Sequence, residues 1–241
     1  LIIFAPINTG ALKLKHVFLT TFLILLADQA LKVYIKTHYH LGEEHLPIPS
    51  LPWFRLHFIE NEGMAYGWKL GGEWGKVALT LFRLVAVVVG TVYLVRLSRR
   101  HLHAGFMVCA TLVYAGAIGN LLDSIGYGLL FEGSDPFTLN EARSFLQEGF
   151  AGGYAPLLHG KVVDMLYFPI ITDARYPDWF PFWGGESFEF FRPVFNIADA
   201  SITTGVILIL LFQERFLREQ GPASHPTVET NSRVSDDAQV S

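Results

Sequence analysis

The stretch VALTLFRLVAVVVGTVYLVRLSRRHLHAGFMVCATLVYAGAIGNLLD, residues 77–123, decides the fold. It is a pair of apolar runs, each long enough to cross a hydrocarbon layer of about 30 Å at 1.5 Å rise per residue. The connection between them is short and holds Arg96, Arg99 and Arg100. In lipid a helix satisfies every backbone N–H and C=O within its own segment, so this pattern predicts an antiparallel pair of membrane helices. Outward from it lie further runs of the same kind, giving four spans near 16–36, 75–96, 104–130 and 194–217. The first has a cationic lead in Lys13, Lys15 and His16, but Asp28 and Lys32 interrupt it and no small-residue cleavage site follows, so it reads as a retained helix.

The whole chain agrees with this reading. Of its 241 residues 51% are hydrophobic and only 17% charged, a balance too apolar for an ordinary soluble domain. A net charge of −4, with the basic residues in small clusters beside apolar runs, leaves no basic field for nucleic acid. The single cysteine, Cys109, lies inside a span and reads as a small buried apolar residue; no intrachain disulfide is possible. Because the chain begins at Leu1 rather than Met, the natural start is expected to be missing or altered.

Lys and Arg in short loops stay on the cytoplasmic side. Lys13 and Lys15, the Arg96–Arg100 connection, and Arg215 with Arg218 all fall on one face, so both termini are predicted cytoplasmic. The long connections 37–74 and 131–193, richer in Asp and Glu than in Lys and Arg, go to the other side. In the first, Leu51–Trp68 reads as strands and turns. In the second, Thr138-Leu-Asn-Glu141 is a capping box expected to open a short helix ending near Gly149. The aromatic stretch that follows, with Trp179, Phe180, Phe182 and Trp183, suggests a belt on the bilayer surface, with a small folded outer subdomain as the other reading. Residues 219–241, polar and rich in Ser, Thr and Pro, are expected to be a disordered cytoplasmic tail behind a single membrane unit, 1–218.

Ionisable groups within spans are site hypotheses by default, since each costs about 2.5–3.5 kcal/mol at the bilayer centre on insertion scales. Asp28, Asp123 and Asp199 lie in or beside spans, all toward the outer side. Asn120 with Asp123, and Asn196 with Asp199, stand three apart, which sets amide and carboxylate on one helix face. Asp28 and Lys32, four apart, read first as a structural ion pair. Two carboxylates at one site share a single proton, so that one activates water and the other protonates a leaving amine. From spacing alone the pair is Asp123 with Asp199. Two other chemistries compete with peptide hydrolysis: a small ion or proton transporter, and a metal-dependent hydrolase using Asp123, Asp164 and Asp199 with His57 or His159. No cofactor and no metal site are expected.

Five segments in order resemble the lipoprotein signal peptidases, the bacterial type II signal peptidases. They are Asp28-Gln-Ala-Leu-Lys32, Asn61-Glu-Gly-Met-Ala-Tyr-Gly67, Gly116-Ala-Ile-Gly-Asn-Leu-Leu-Asp123, Val162-Val-Asp164 and Phe195-Asn-Ile-Ala-Asp-Ala-Ser-Ile202. The resemblance runs from about Lys15 to Phe216 and implies an all-α membrane protein: four transmembrane helices with a small extracytoplasmic β-cradle and a surface helix. It implies an aspartic endopeptidase of the bacterial inner membrane that cuts prolipoproteins before a diacylglyceryl-modified cysteine, with membrane lipid as its other partner. It moves the catalytic pair to Asp164 and Asp199, with Asp28, Lys32, Asn61, Gly63, Asn120, Asp123 and Asn196 shaping the site and holding substrate. A monomer is the expected state. Two departures stand out. Ser124 occupies the place of the family's usual Arg, with Arg143 and Lys161 as candidate replacements, and segments 124–160 and 169–193 read as insertions forming an enlarged lid or platform.

Overall fold

A computed structural model of the chain describes residues 14–62, 72–100, 102–139, 152–190 and 193–218. Four helices in it are long and apolar enough to cross a membrane: α1 (Leu14–His38), α2 (Gly72–Leu97), α3 (Ala104–Leu130) and α4 (Ile197–Arg218). Their outward faces carry exposed large apolar side chains, among them Phe18, Phe22, Phe82, Val85, Leu210 and Leu211. Such faces are a liability in water and the well-solvated side in lipid.

Helix α3 packs against each of the other three. It meets α4 closely because both present small residues: a Cβ on Gly116 would come 2.2 Å from the Ala198 carbonyl oxygen, and one on Gly205 would come 2.6 Å from that of Cys109. Cys109 is buried in this contact region, as its setting in the sequence implied.

The strands gather at one end of the bundle. β1 (Glu44–His45), β2 (Arg55–Asn61), β3 (Val162–Tyr167) and β6 (Val194–Phe195) form one antiparallel sheet in the order β1-β2-β3-β6. β4 (Ile171–Arg175) and β5 (Ser187–Phe190) form a separate hairpin. The sheet is fixed to the helix ends by a core of Ile35, Tyr39, Phe58, Tyr127, Phe131, Val163 and Met165. β3, covered on both faces, is accordingly apolar at nearly every position except Asp164.

Before α3 ends, Asp123–Tyr127 form a π turn. The wider turn misaligns backbone carbonyls, and the returning chain answers them: Gly160 N donates to Ser124 O at 2.9 Å and Ala155 N to Gly128 O at 3.0 Å. Gly160 permits the approach, since a Cβ there would lie 2.0 Å from the Asp123 carbonyl oxygen. The segment so anchored leads directly into β3.

The fourth helix begins at Ile197, later than the expected 194. The antiparallel pairing of Val194 with Tyr167 and of Phe195 with Leu166 keeps those residues extended. The aromatic stretch is a hairpin in which Tyr176, Phe180 and Trp183 rings lie against one another, while Trp179 and Phe182 are 79% and 92% exposed. The expected helix after Thr138 lies outside the described residues from Asn140 onward, as does the tail from Glu219.

Gly116→Leu is expected to lower the midpoint of thermal unfolding in detergent, since overpacking costs about 1–3 kcal/mol or more where backbone blocks the way. Gly126→Ala, whose Cβ meets only Leu130 at 3.6 Å, serves as the control and leaves the midpoint near the parent's.

Candidate active site

Lys32, with no exposed surface, organises the polar interior. Its ammonium meets Asp123 Oδ2 at 2.7 Å, Asp28 Oδ2 at 2.9 Å and Asn120 Oδ1 at 3.1 Å, so each of its three protons has an acceptor. The other atoms of the two carboxylates hold neighbouring elements. Asp28 Oδ1 accepts the Ala198 N–H at 2.9 Å, capping α4 from α1. Asp123 Oδ1 accepts from Gln29 Nε2 at 2.9 Å, and Gln29 in turn accepts from the Tyr127 hydroxyl at 3.0 Å. The i,i+4 pair of Asp28 and Lys32 is thus one side of a larger cluster.

Asp164 and Asp199 stand beside this cluster, linked through two amides. Asn120 Nδ2 donates to Asp199 Oδ1 at 2.7 Å, while its oxygen accepts from Asn196 Nδ2 at 3.1 Å. Asn196 Nδ2 also donates to Asp164 Oδ1 at 2.7 Å, and its Oδ1 accepts the Asp199 N–H at 2.8 Å. Asn196 is therefore the N-cap of α4, with Asp199 at the third helical position. The equal spacing of the two Asn-x-x-Asp pairs conceals this difference: Asn120 and Asp123 share a helix face, whereas Asn196 stands outside its helix. Asn61, at the end of β2, donates to Asp164 Oδ2 at 3.3 Å.

Strand pairing decides which carboxylate joins Asp199. Leu166 opposite Phe195 lays the end of β3 beside the chain entering α4, bringing Asp164 to Asn196. Asp123, expected from spacing as the partner of Asp199, instead spends its oxygens on Lys32, Gln29 and the Val163 N–H. Asp164 is 3% exposed, and burial, together with the Asp199 carboxylate, pushes its carboxyl up to about 7. Two amide donors oppose that rise without cancelling it.

A second buried group lies at the same end. Lys36 pairs with Glu60, which also accepts from Ser134 Oγ at 2.7 Å and meets Lys161 at 3.4 Å. Burial works against the Glu60 carboxylate, yet Lys36, Ser134 and Lys161 hold the carboxyl below its usual range. Lys161 thus belongs to Glu60, and the cation beside Ser124 is Arg83 of α2, whose Nη1 donates to Ser124 Oγ at 2.9 Å. Arg143 and Gly63 lie outside the described residues. Of the two candidate metal-binding histidines, His57 packs on Tyr167 and His159 meets the Leu157 carbonyl. Among the described residues no three His, Cys, Asp or Glu side chains converge as metal ligands. The sequence reading missed Gln29, Lys36, Glu60 and Arg83. Lys36 and Arg83 were open to discovery by the rule that drew attention to the aspartates, because each is a charge within a span.

A family model described as signal peptidase (SPase) II matches residues 20–214. A lipoprotein signal peptidase of Porphyromonas gingivalis is 45% identical over 194 residues, 80% of each chain. One from Amoebophilus asiaticus is 29% identical over 213 residues, 88% of this chain and 83% of its own. Two solved structures, each described as a bacterial membrane enzyme structure by the in meso method, share the fold. Their TM-scores are 0.52 and 0.51 at 20% and 22% identity, over 88% and 86% of this chain and 95% and 97% of theirs.

Lys32→Met leaves two buried carboxylates without their cation and is expected to cost about 3–5 kcal/mol, read as a lower unfolding midpoint in detergent. Asp164, whose carboxyl is raised to about 7, binds its proton more tightly in the folded chain than in the unfolded one. Its contribution to stability is complete below about pH 4 and is lost as pH rises through the folded value. Asp164→Asn is accordingly expected to raise the unfolding midpoint, relative to the parent, more near pH 8 than near pH 5.

Proposed function

The chain belongs to the signal peptidase II family, aspartic peptidases that remove signal peptides from prolipoproteins, and from that premise we propose that Asp164 and Asp199 are its catalytic pair. The observation that carries this assignment is the amide bridge. Asn120 and Asn196 tie the two carboxylates into one unit, while Asp28 and Asp123 are occupied by Lys32.

The pair holds one proton. A carboxylate takes a proton from water as the water oxygen bonds to the scissile carbonyl carbon. The carboxylic acid gives its proton to the leaving nitrogen as the C–N bond breaks. Peptide and water become acid and amine, and the pair ends with one proton, as it began. A carboxyl titrating near neutrality, as burial makes Asp164, suits the acid's part. Asn61, Asn120 and Asn196 keep the two groups in register, and Asp28, Lys32 and Asp123 hold the elements that carry them. Gly63 completes the set of substrate-holding positions by resemblance.

The protein is a multi-pass membrane protein of bacteria. The distribution of Lys and Arg supports placing both termini in the cytoplasm and the pair at the outer leaflet. That position suits a substrate anchored by a diacylglyceryl cysteine, since acyl chains contribute about 0.8 kcal/mol per buried CH2 and keep it in the bilayer. The substrate then arrives sideways from lipid while water arrives from outside. Exposed Trp179 and Phe182 on the hairpin suit contact with the headgroup layer as part of a platform there. One chain carries the whole pair, so a monomer suffices.

The test is cleavage of a diacylglyceryl-modified prolipoprotein by purified protein in detergent, with and without chelator. Asp164→Asn and Asp199→Asn are each expected to lower kcat by about a thousandfold or more while remaining folded. Chelator is expected to leave the parent's rate unchanged. Near-parent activity in either variant, or loss of the parent's activity with chelator, overturns the assignment.

A further inference from the structure

Arg83 is a charged group inside a span that the mechanism above leaves unused. Such a residue costs about 2.5–3.5 kcal/mol at the bilayer centre on insertion scales and is found where something compensates it. α2 turns Lys76, Thr80 and Arg83 toward the rest of the protein at helical spacing. Thr80 donates to the Leu158 carbonyl at 3.1 Å, and Arg83 Nη1 to Ser124 Oγ at 2.9 Å. Ser124 is 2% exposed and its hydroxyl donates to the Asn120 backbone carbonyl at 2.9 Å. Asn120 is the residue whose amide holds Asp199. The guanidinium is thus anchored one side chain away from the framework of the pair, within electrostatic reach of Asp199, Asp123 and Asp164.

Charge balance shows why a cation belongs there. Asp28 and Asp123 from α1 and α3, Asp164 from β3 and Asp199 from α4 all face this interior, and Lys32 lies among the first two. With one proton on the pair, Lys32 alone leaves the cluster with excess negative charge. Lys76 stands seven residues before Arg83 on the same helix, two turns away, with Glu62 and Glu60 in its own electrostatic surroundings. Arg83 is a second cation, after Lys32, within electrostatic reach of the pair, facing Asp199 and Asp164 together with Asp123. A guanidinium remains charged at any working pH, so its influence there is constant.

We propose that Arg83 is the positioning cation of the aspartate pair: anchored on Ser124, it sets the pH range over which Asp164 and Asp199 share a single proton. The inference rests on the catalytic assignment of those two residues. Arg83 acts through the pair's protonation, and its removal makes both ionisations of the pair harder. Both limbs of the activity bell then move to higher pH. A residue that merely holds α2 against α3 lowers the rate without moving the limbs.

The experiment measures kcat against pH for the parent, Arg83→Gln and Arg83→Lys, with a diacylglyceryl-modified prolipoprotein at saturating concentration in detergent. In Arg83→Gln both limbs are expected to rise by about one pH unit, and in Arg83→Lys, which keeps the charge, they are expected to stay close to the parent's. A Gln profile superimposed on the parent's, or a Lys profile displaced as far as the Gln profile, overturns the proposal. If the Gln variant turns over too slowly to profile, the pH at which its thermal stability falls is read instead, with the same upward displacement expected and its absence again decisive. Asp164→Asn and Asp199→Asn run alongside: activity in either removes the catalytic assignment itself, whereas two inactive variants with an unmoved Gln profile remove only the role of Arg83.

Discussion

The burial of one ammonium group governs this molecule. Lys32 has no exposed surface inside the bundle, and the desolvation of a charge there is tolerable only because two carboxylates and an amide oxygen surround it. Each of those acceptors is tied to something else. Asp28 caps α4, Asp123 reaches the backbone of β3, and Asn120 reaches Asp199. Compensating the charge and positioning the site are therefore one arrangement. Any shift of α1 that weakens the ion pairs also disturbs the start of α4 and the strand that carries Asp164.

The two carboxylates of the pair arrive from different kinds of element, one from a buried strand and one from the first turn of a helix. Neutral amides join them. A cation between the two would neutralise the repulsion that lets them hold one proton, whereas Asn side chains supply donors without charge. The charged partners are kept one residue further out, at Asp28 with Lys32 and Asp123, and at Ser124 with Arg83.

Much of this was legible in the sequence. The four spans follow from run length, the strand Arg55–Asn61 from local residue types, although Glu44–His45 was not foreseen, and the convergence of Asp28, Lys32, Asn120, Asp123, Asn196 and Asp199 from the cost of polar groups in lipid. Spacing could not give the partner of Asp199, because that depends on the pairing of Leu166 with Phe195, a contact between segments with no common local period. It suggested Asp123 because two Asn-x-x-Asp pairs look alike on a helical net, although one is a helix face and the other a cap. The resemblance to a known family supplied Asp164 where periodicity did not. Arg83 shows a different gap: it is a cation in the middle of a helix whose other charges lie toward its ends, and it stands beside the Ser124 site that Arg143 or Lys161 was expected to serve.

The site stands where the helices end for a physical reason. Carboxylates that exchange protons with water need access to it, while a substrate anchored by acyl chains stays in the hydrocarbon. Only the boundary meets both conditions. A π turn ends the regular part of α3 there, its displaced carbonyls bind the chain that returns as β3, and that strand carries Asp164 beyond the span yet keeps it buried. Burial raises its carboxyl to about 7, and the strand places it outside the helices. In the proposed catalytic role, the same carboxylate in mid-span would have no water to activate, and on an open loop it would lack the desolvation that makes it hold a proton near neutrality.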